Sequence, residues 1–228
     1  MTAAAAGQYS LGLAPPPARL ARRDFVVAES NRAAFENLFL WHASAEPLLI
    51  IAGPPASGKT HLLNILAGMA GCSVEAAHSI ADLRPGAGDF RIVDGIGRGL
   101  ASIDLLLLVE RARENGARLA LAGDGPPLTW AKGMRDLETR LGAAARIDLV
   151  EPDEALLQAV IIKLLGDRQL RAGADLASYA TARLPKTFEA ATAFVAALDA
   201  CSIAEGAPIG LRLARTVIAN LSEEARPA

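Results

Sequence analysis

Four short apolar runs punctuate the first two thirds of the chain: LLIIAG at 48–53, RIVDG at 91–95, RLALAG at 118–123 and RIDLV at 146–150. The first three end in glycine. Those three do not alternate between apolar and polar positions, as a strand with one wet face would. Runs of this kind suit strands buried on both faces, which is the condition of a parallel sheet. Stretches of helical spacing separate them, at Lys59–Met69, Ile103–Asn115 and Thr129–Leu141. Ahead of the first run, ESNRAAFENLFLW places Ala34, Leu38 and Trp41 near one helical face, with Ser30 or Asn31 as the candidate N-cap. The pattern predicts an α/β unit with a parallel sheet covered by helices.

After Glu151 and Pro152 the strand pattern stops. DEALLQAVIIKLLGDRQL, ADLASYATARL, TFEAATAFVAALDACSIAEG and IGLRLARTVIANL all read as amphipathic helices, with Gly166, Pro185 and Gly206 as expected ends. The expected organisation is a disordered tail over 1–23, rich in Ala, Pro and Arg, an α/β domain over 24–151, and a small all-helical domain over 152–228.

Composition narrows the function classes. Hydrophobic residues make up 52% of the 228 and aromatics only 4%, so the core is expected to be aliphatic. A formal charge of −2 gives no basic excess with which to neutralise nucleic-acid phosphates. No apolar run reaches the ~18 residues of a membrane span, and the N-terminus lacks a secretory leader pattern. Cys72 and Cys201 are isolated, with neither metal spacing nor a disulfide framework. These features lead us to expect a soluble, cytoplasmic protein.

The strongest chemical signal is GPPASGKT, Gly53 to Thr60, which fits G-x-x-x-x-G-K-[ST] between a strand and a helix. Pro55, Ala56, Ser57, Gly58, Lys59, Thr60 and His61 are the candidate phosphate-loop residues. Backbone N–H groups from Ala56 to Thr60 curl around a β-phosphate, and the helix start adds unpaired amides. Lys59 is expected to span the β- and γ-phosphates, and the Thr60 hydroxyl to ligate Mg²⁺. Asp94, at the end of RIVDG, is the expected second holder of Mg²⁺, through water. Nucleotide hydrolases of this class normally follow that aspartate with a second acid, which polarises the attacking water. Here Gly95 follows. General-base assistance is worth about 10²–10⁴-fold, so intrinsic hydrolysis is expected to be slow. Asp104 and Glu110 have no spacing that argues for them as substitutes.

Several segments resemble the AAA+ proteins of the DnaA type. DFVVAESN, Asp24 to Asn31, is similar to the box whose backbone cradles adenine, which brings in Phe25 and Val26. GKTHLL extends the phosphate loop in the DnaA manner. LALAGDGPP resembles the sensor 1 strand, with Asp124 at its polar position. LETRLGAAARIDLVEPDEALL resembles the stretch that carries the arginine finger and enters the helical lid. The resemblance runs from about Asp24 to Leu221. It implies a P-loop AAA+ fold with a lid, and bound ADP or ATP with Mg²⁺.

DnaA-type chains continue after the lid into a helix-turn-helix DNA-binding domain, whereas little follows Leu221 here, so no sequence-specific DNA contact is expected. QYSLGL, in the tail, resembles the Q-x-x-L-x-L peptide that docks on the bacterial sliding clamp, with Gln8, Leu11 and Leu13 as its contacts. A DnaA-like core with a clamp peptide resembles the regulators of the Hda type. That resemblance implies the sliding clamp and DnaA as partners, and stimulated hydrolysis of DnaA-bound ATP, which restrains replication initiation. Self-association stays open.

By the same resemblance the finger acting in trans is Arg140, with Arg146 as the rival by proximity; the plainer reading of Arg140 is a pair with Asp136 one turn earlier. The lid position of a sensor 2 arginine falls near Glu189, whose charge is opposite, with Lys186 a turn away and Arg183 expected at a helix end. Loss of that arginine and of an acid at Gly95 favours ADP as the resident ligand. His42 and His78 stand alone, Trp41 and Trp130 suit a core or subdomain interface, and RLARR at 19–23 suits a solvated linker. Two other functions remain: an autonomous P-loop ATPase such as a helicase loader, and a non-catalytic clamp tether.

Overall fold

The structure is a computed structural model and describes residues 20–78 and 84–224. Gln8, Leu11 and Leu13 lie outside the described residues. A 3₁₀ turn at Arg22–Asp24 leads into α1 (Glu29–Ala43), β1 (Leu48–Gly53), α2 (Lys59–Ala70), β2 (Val74–Ala76), β3 (Phe90–Ile96) and α3 (Ser102–Glu114). Then come β4 (Arg118–Asp124), a 3₁₀ turn at Pro127–Ala131, α4 (Arg135–Gly142) and β5 (Ala145–Asp148). Four helices follow: α5 (Glu154–Asp167), α6 (Ala174–Thr181), α7 (Phe188–Glu205) and α8 (Leu211–Glu224).

The five strands form one sheet in the order β2-β3-β4-β1-β5, and every pairing is parallel. Side chains alternate across it, so β1, β3 and β4 each feed two cores. Ile50, Ala52, Val93, Leu119 and Leu121 pack with α3 and α4 on one face. Leu49, Ile51, Ile92, Ala120, Ala122 and Ile147 pack with α1 and α2 on the other. Trp130 belongs to the first core and Trp41 to the second, and both are buried. The last four helices close on a third core, where Leu157, Ile161, Phe194, Val195, Leu198 and Ala214 are almost wholly buried. Among the described residues no helix is long and apolar enough to cross a membrane.

Three local expectations need correction. The helix anticipated over Thr129–Leu141 is two elements, because Lys132 and Gly133 both take positive φ (48° and 83°) and turn the chain between them. Helix α1 begins at Glu29 after Ala28, so neither Ser30 nor Asn31 is its N-cap. Asn31 acts from inside the first turn: its carbonyl oxygen accepts from the Ala28 N–H at 2.8 Å and its amide donates to the Val26 carbonyl at 2.9 Å. Strand β2 was not anticipated. By contrast Asp153 and Thr187 cap α5 and α7 through their side chains, and Gly206 ends α7 at φ 60°.

Candidate functional site

The sheet register assembles the site at the carboxyl ends of the strands. In the β1–β4 pairing Gly53 stands opposite Asp124, so the start of the phosphate loop meets the end of β4. The Gly125 N–H donates to the Gly53 carbonyl at 3.3 Å, tying the two ends. Gly53 must be small: a Cβ there would stand 2.6 Å from the Leu149 carbonyl oxygen and 2.9 Å from Ser57 Oγ.

Between Gly53 and α2 the loop turns through two left-handed residues, Ala56 at φ 55° and Gly58 at φ 98°. Alternation of this kind curls successive amides into a concave nest that suits an anion, and the start of α2 adds its dipole. Lys59 is 6% exposed, and its ammonium donates to the carbonyls of Gly53 (3.1 Å) and Pro54 (2.6 Å). It also pairs with Asp124 Oδ1 at 2.9 Å. The next hydroxyl, Thr60 Oγ1, donates to Asp94 Oδ2 at 2.6 Å. The two residues expected to hold Mg²⁺ therefore touch, although 34 positions separate them.

Gly95 is more than an absent side chain. The β3–β4 register shifts between Val93 and Ile96, and Gly95 occupies that irregularity at φ 85°. Its N–H donates to Asp94 Oδ1 at 2.8 Å, which fixes the carboxylate toward Thr60. A glutamate at this position would need a backbone shape that side chains disfavour.

A cavity of about 1130 Å³ opens between the carboxyl ends of the strands and helices α5 and α7. Phe25, Val26, Ala56, Ser57, Gly58, Lys59, Thr60, His61, Asp94 and Asp124 all line it, while Pro55 is exposed and does not. One end is aromatic: Phe25 stacks on Phe35 (5.1 Å between centroids) and meets His61 edge-on (5.0 Å). Burial lowers the His61 pKa, against the opposing pull of the Ala21 carbonyl and Asp24. From the helical side come Val160, Leu164, Phe188 and Thr192, which the sequence reading did not single out. A long, mixed cavity with an amide nest and a hydroxyl–carboxylate pair at one end and apolar and aromatic walls at the other fits a nucleotide, base and phosphates together.

Asp124 is held by its own neighbours. The Trp130 indole N–H donates to its carbonyl at 2.9 Å, and its carboxylate is shared between Lys59 and Arg98, with Arg98 Nε at 2.8 Å from Oδ2. Partial burial works against its charge, but the bonds from Lys59 and Arg98 outweigh this and keep its pKa below the ordinary value. Arg98 also lines the cavity and was missed in the sequence.

Glu189 lines the cavity, as its charge-reversed position implied. Lys186 does not line it and pairs with Glu154 at 3.3 Å, so it does not take the place of a sensor 2 arginine. Arg183 lies over the Tyr179 ring at 3.9 Å. Arg140, on the last turn of α4, is outside the cavity and bonds Glu110 rather than Asp136. Arg146 pairs with Asp148 along β5. Among the described residues no group of His, Cys, Asp and Glu is arranged to hold a metal ion by itself.

Comparison with solved structures places this architecture. Domain III of the replication initiation protein DnaA from Thermotoga maritima superposes with a TM-score of 0.77 at 15% identity, covering 88% of this chain and 96% of that one. The fold is that of an AAA+ P-loop domain. RuvB from Thermotoga maritima, a Holliday junction branch migration motor, matches with a TM-score of 0.66 at 17% identity, over 86% of this chain and 70% of that one. A DNA replication initiation factor matches with a TM-score of 0.66 at 17% identity, over 82% of this chain and 65% of that one. No protein-family model matches the chain, and no curated protein does.

Proposed function

We propose that this chain is a DnaA-related regulator of the Hda type, which keeps an adenine nucleotide, ADP at rest, and lends an arginine to the ATP bound on DnaA. In this reading Gln8, Leu11 and Leu13 tether it to the sliding clamp on DNA, and Arg140 enters the partner's site. The observation that carries the proposal is the split between two surfaces. The cavity has a full phosphate-binding apparatus but a left-handed glycine at the position of the water-activating acid, and Arg140 stands elsewhere, partly exposed at a helix end. Such a layout supports holding a nucleotide in cis while stabilising phosphoryl charge in trans.

Within the cavity, Phe25, Val26 and His61 would bound the adenine, the amides of Ala56 to Thr60 the β-phosphate, and Thr60 with Asp94 the Mg²⁺. A bound Mg²⁺ would neutralise phosphate charge. Lys59 has to exchange its carbonyl and Asp124 contacts for the phosphates. The DnaA domain III likeness supports the choice of a DnaA-like partner, since AAA+ modules of like shape present like faces to one another.

The test measures hydrolysis of DnaA-bound ATP on clamp-loaded DNA. The intact chain should accelerate it, and a chain without residues 1–14 and Arg140→Ala should each lose the effect. Full stimulation by both variants overturns the proposal.

A further inference from the structure

We infer that Arg98 is a γ-phosphate ligand supplied from the loop after β3, with Asp124 as its partner whenever a third phosphate is missing. The inference rests on the reading of the cavity as a nucleotide site and adds a residue that discriminates triphosphate from diphosphate.

Three observations converge. First, one carboxylate serves two cations: Asp124 Oδ1 is 2.9 Å from Lys59 Nζ, and Oδ2 is 2.8 Å from both Nε and Nη2 of Arg98. The Arg98 guanidinium is therefore one carboxylate's width from the ammonium that a P-loop directs at the β- and γ-phosphates. A γ-phosphate reaching Lys59 comes within range of Arg98, and its oxygens suit the guanidinium as well as the carboxylate does.

Second, the loop is shaped to present this residue. Gly95, Gly97 and Gly99 all take left-handed φ (85°, 91° and 83°), flanking Ile96, which is fully buried, and Arg98, whose side chain is 64% exposed. Ile96 anchors the loop in the core while the arginine projects into the cavity. Gly97 passes so close to Trp130 that a Cβ would stand 3.2 Å from the indole ring. Trp130 in turn bonds the Asp124 backbone, so the loop and the Asp124 strand end share one support.

Third, the lid supplies no arginine at the usual place. Glu189 lines the cavity there, and its charge falls on Arg98 along with that of Asp94. The lid cations lining the cavity have carboxylates of their own, Lys163 with Asp167 and Arg168 with Asp199 at 3.9 Å.

Diphosphate and triphosphate then bind differently. ADP draws Lys59 to its β-phosphate and leaves Arg98 on Asp124. ATP must also separate Arg98 from Asp124, and it gains the guanidinium in exchange. Arg98 thus restores recognition of a third phosphate, while Asp124 keeps the diphosphate complex electrically complete.

The experiment is equilibrium binding of fluorescent ADP and of a fluorescent, non-hydrolysable ATP analogue, with Mg²⁺, to the unsubstituted protein, Arg98→Ala and Arg98→Lys. For Arg98→Ala the analogue should bind about 10-fold more weakly, the loss of one charge-assisted contact, while ADP affinity changes by less than about 2-fold. Arg98→Lys should recover part of the loss. Thermal unfolding of the nucleotide-free variants checks that the exposed substitution leaves the fold intact. Equal weakening of both ligands, or of neither, overturns the inference and leaves the nucleotide site standing. Failure of the unsubstituted protein to bind either ligand overturns the nucleotide reading itself, and this inference with it.

Discussion

Arg140 Nε lies 2.6 Å from Glu110 Oε1, so the last turn of α4 is tied to α3 by a pair that spans 30 positions of sequence. Glu110 also takes Arg113 at 3.2 Å. Desolvation works against the Glu110 charge, but the bonds and charges of Arg140 and Arg113 together outweigh it and hold its pKa below the ordinary value. Exposed ion pairs contribute little to stability, so in the proposed function a partner's phosphates would compete for this arginine on easy terms. Arg140→Ala is expected to lower stimulated hydrolysis of DnaA-bound ATP by about 10³-fold, the lower range for an arginine finger. Glu110→Gln should stimulate as well as the parent or better, because it frees the guanidinium. Single-turnover hydrolysis of DnaA-bound ATP separates the two.

Thr60 and Asp94 already meet at 2.6 Å, where a magnesium ion would be shared. Mg²⁺ is expected to tighten triphosphate binding to the parent, and Asp94→Asn to abolish most of that increment. Titrations with Mg²⁺ and with chelator measure it.

Gly95→Glu restores the acid in composition only. At φ 85° a side chain costs about 1–3 kcal/mol, so the variant should melt several degrees lower and still turn ATP over slowly. Calorimetry and phosphate release read the two halves of that expectation.

Gly123, in β4, leaves no room for a side chain. A Cβ there would collide with the Ile96 carbonyl oxygen and come within 2.7 Å of the Trp130 ring, which also supports Asp124. Gly123→Ala should destabilise the fold by about 1–3 kcal/mol and weaken nucleotide binding as well, seen together as a lower Tm and a smaller ligand-induced shift.

His61 titrates below its ordinary range because burial disfavours its charged form. Its folded pKa is below the unfolded value, so the unfolded chain binds the proton more readily. Stability should therefore fall as pH drops through about 6.5 and level off below the folded pKa. Unfolding from pH 7.5 to 5.5 should show that slope, and His61→Gln should flatten it.

The parallel sheet and its helices were legible because short apolar runs and helical spacing survive in sequence whatever surrounds them. Strand β2 was not, since Val74–Ala76 is three residues long, half-buried and carries Glu75. The split of the Thr129–Leu141 segment turns on a positive φ at Lys132, and no side-chain pattern announces that for a lysine. The same contrast divides the site. Lys59 and Thr60 were readable since their chemistry is confined to one loop. Arg98 looked like an isolated cation among glycines, because its partner Asp124 lies 26 positions away. Arg140 was weighed against its neighbour Asp136, one turn back, while its carboxylate came from another helix.

In the proposed function the bare position after Asp94 would also set a clock. A protein that does not cut its own ligand leaves a bound state only when that ligand dissociates, so its memory of the cell's ADP to ATP ratio lasts as long as a residence time. Slow exchange would let one molecule serve many DnaA encounters before it resets.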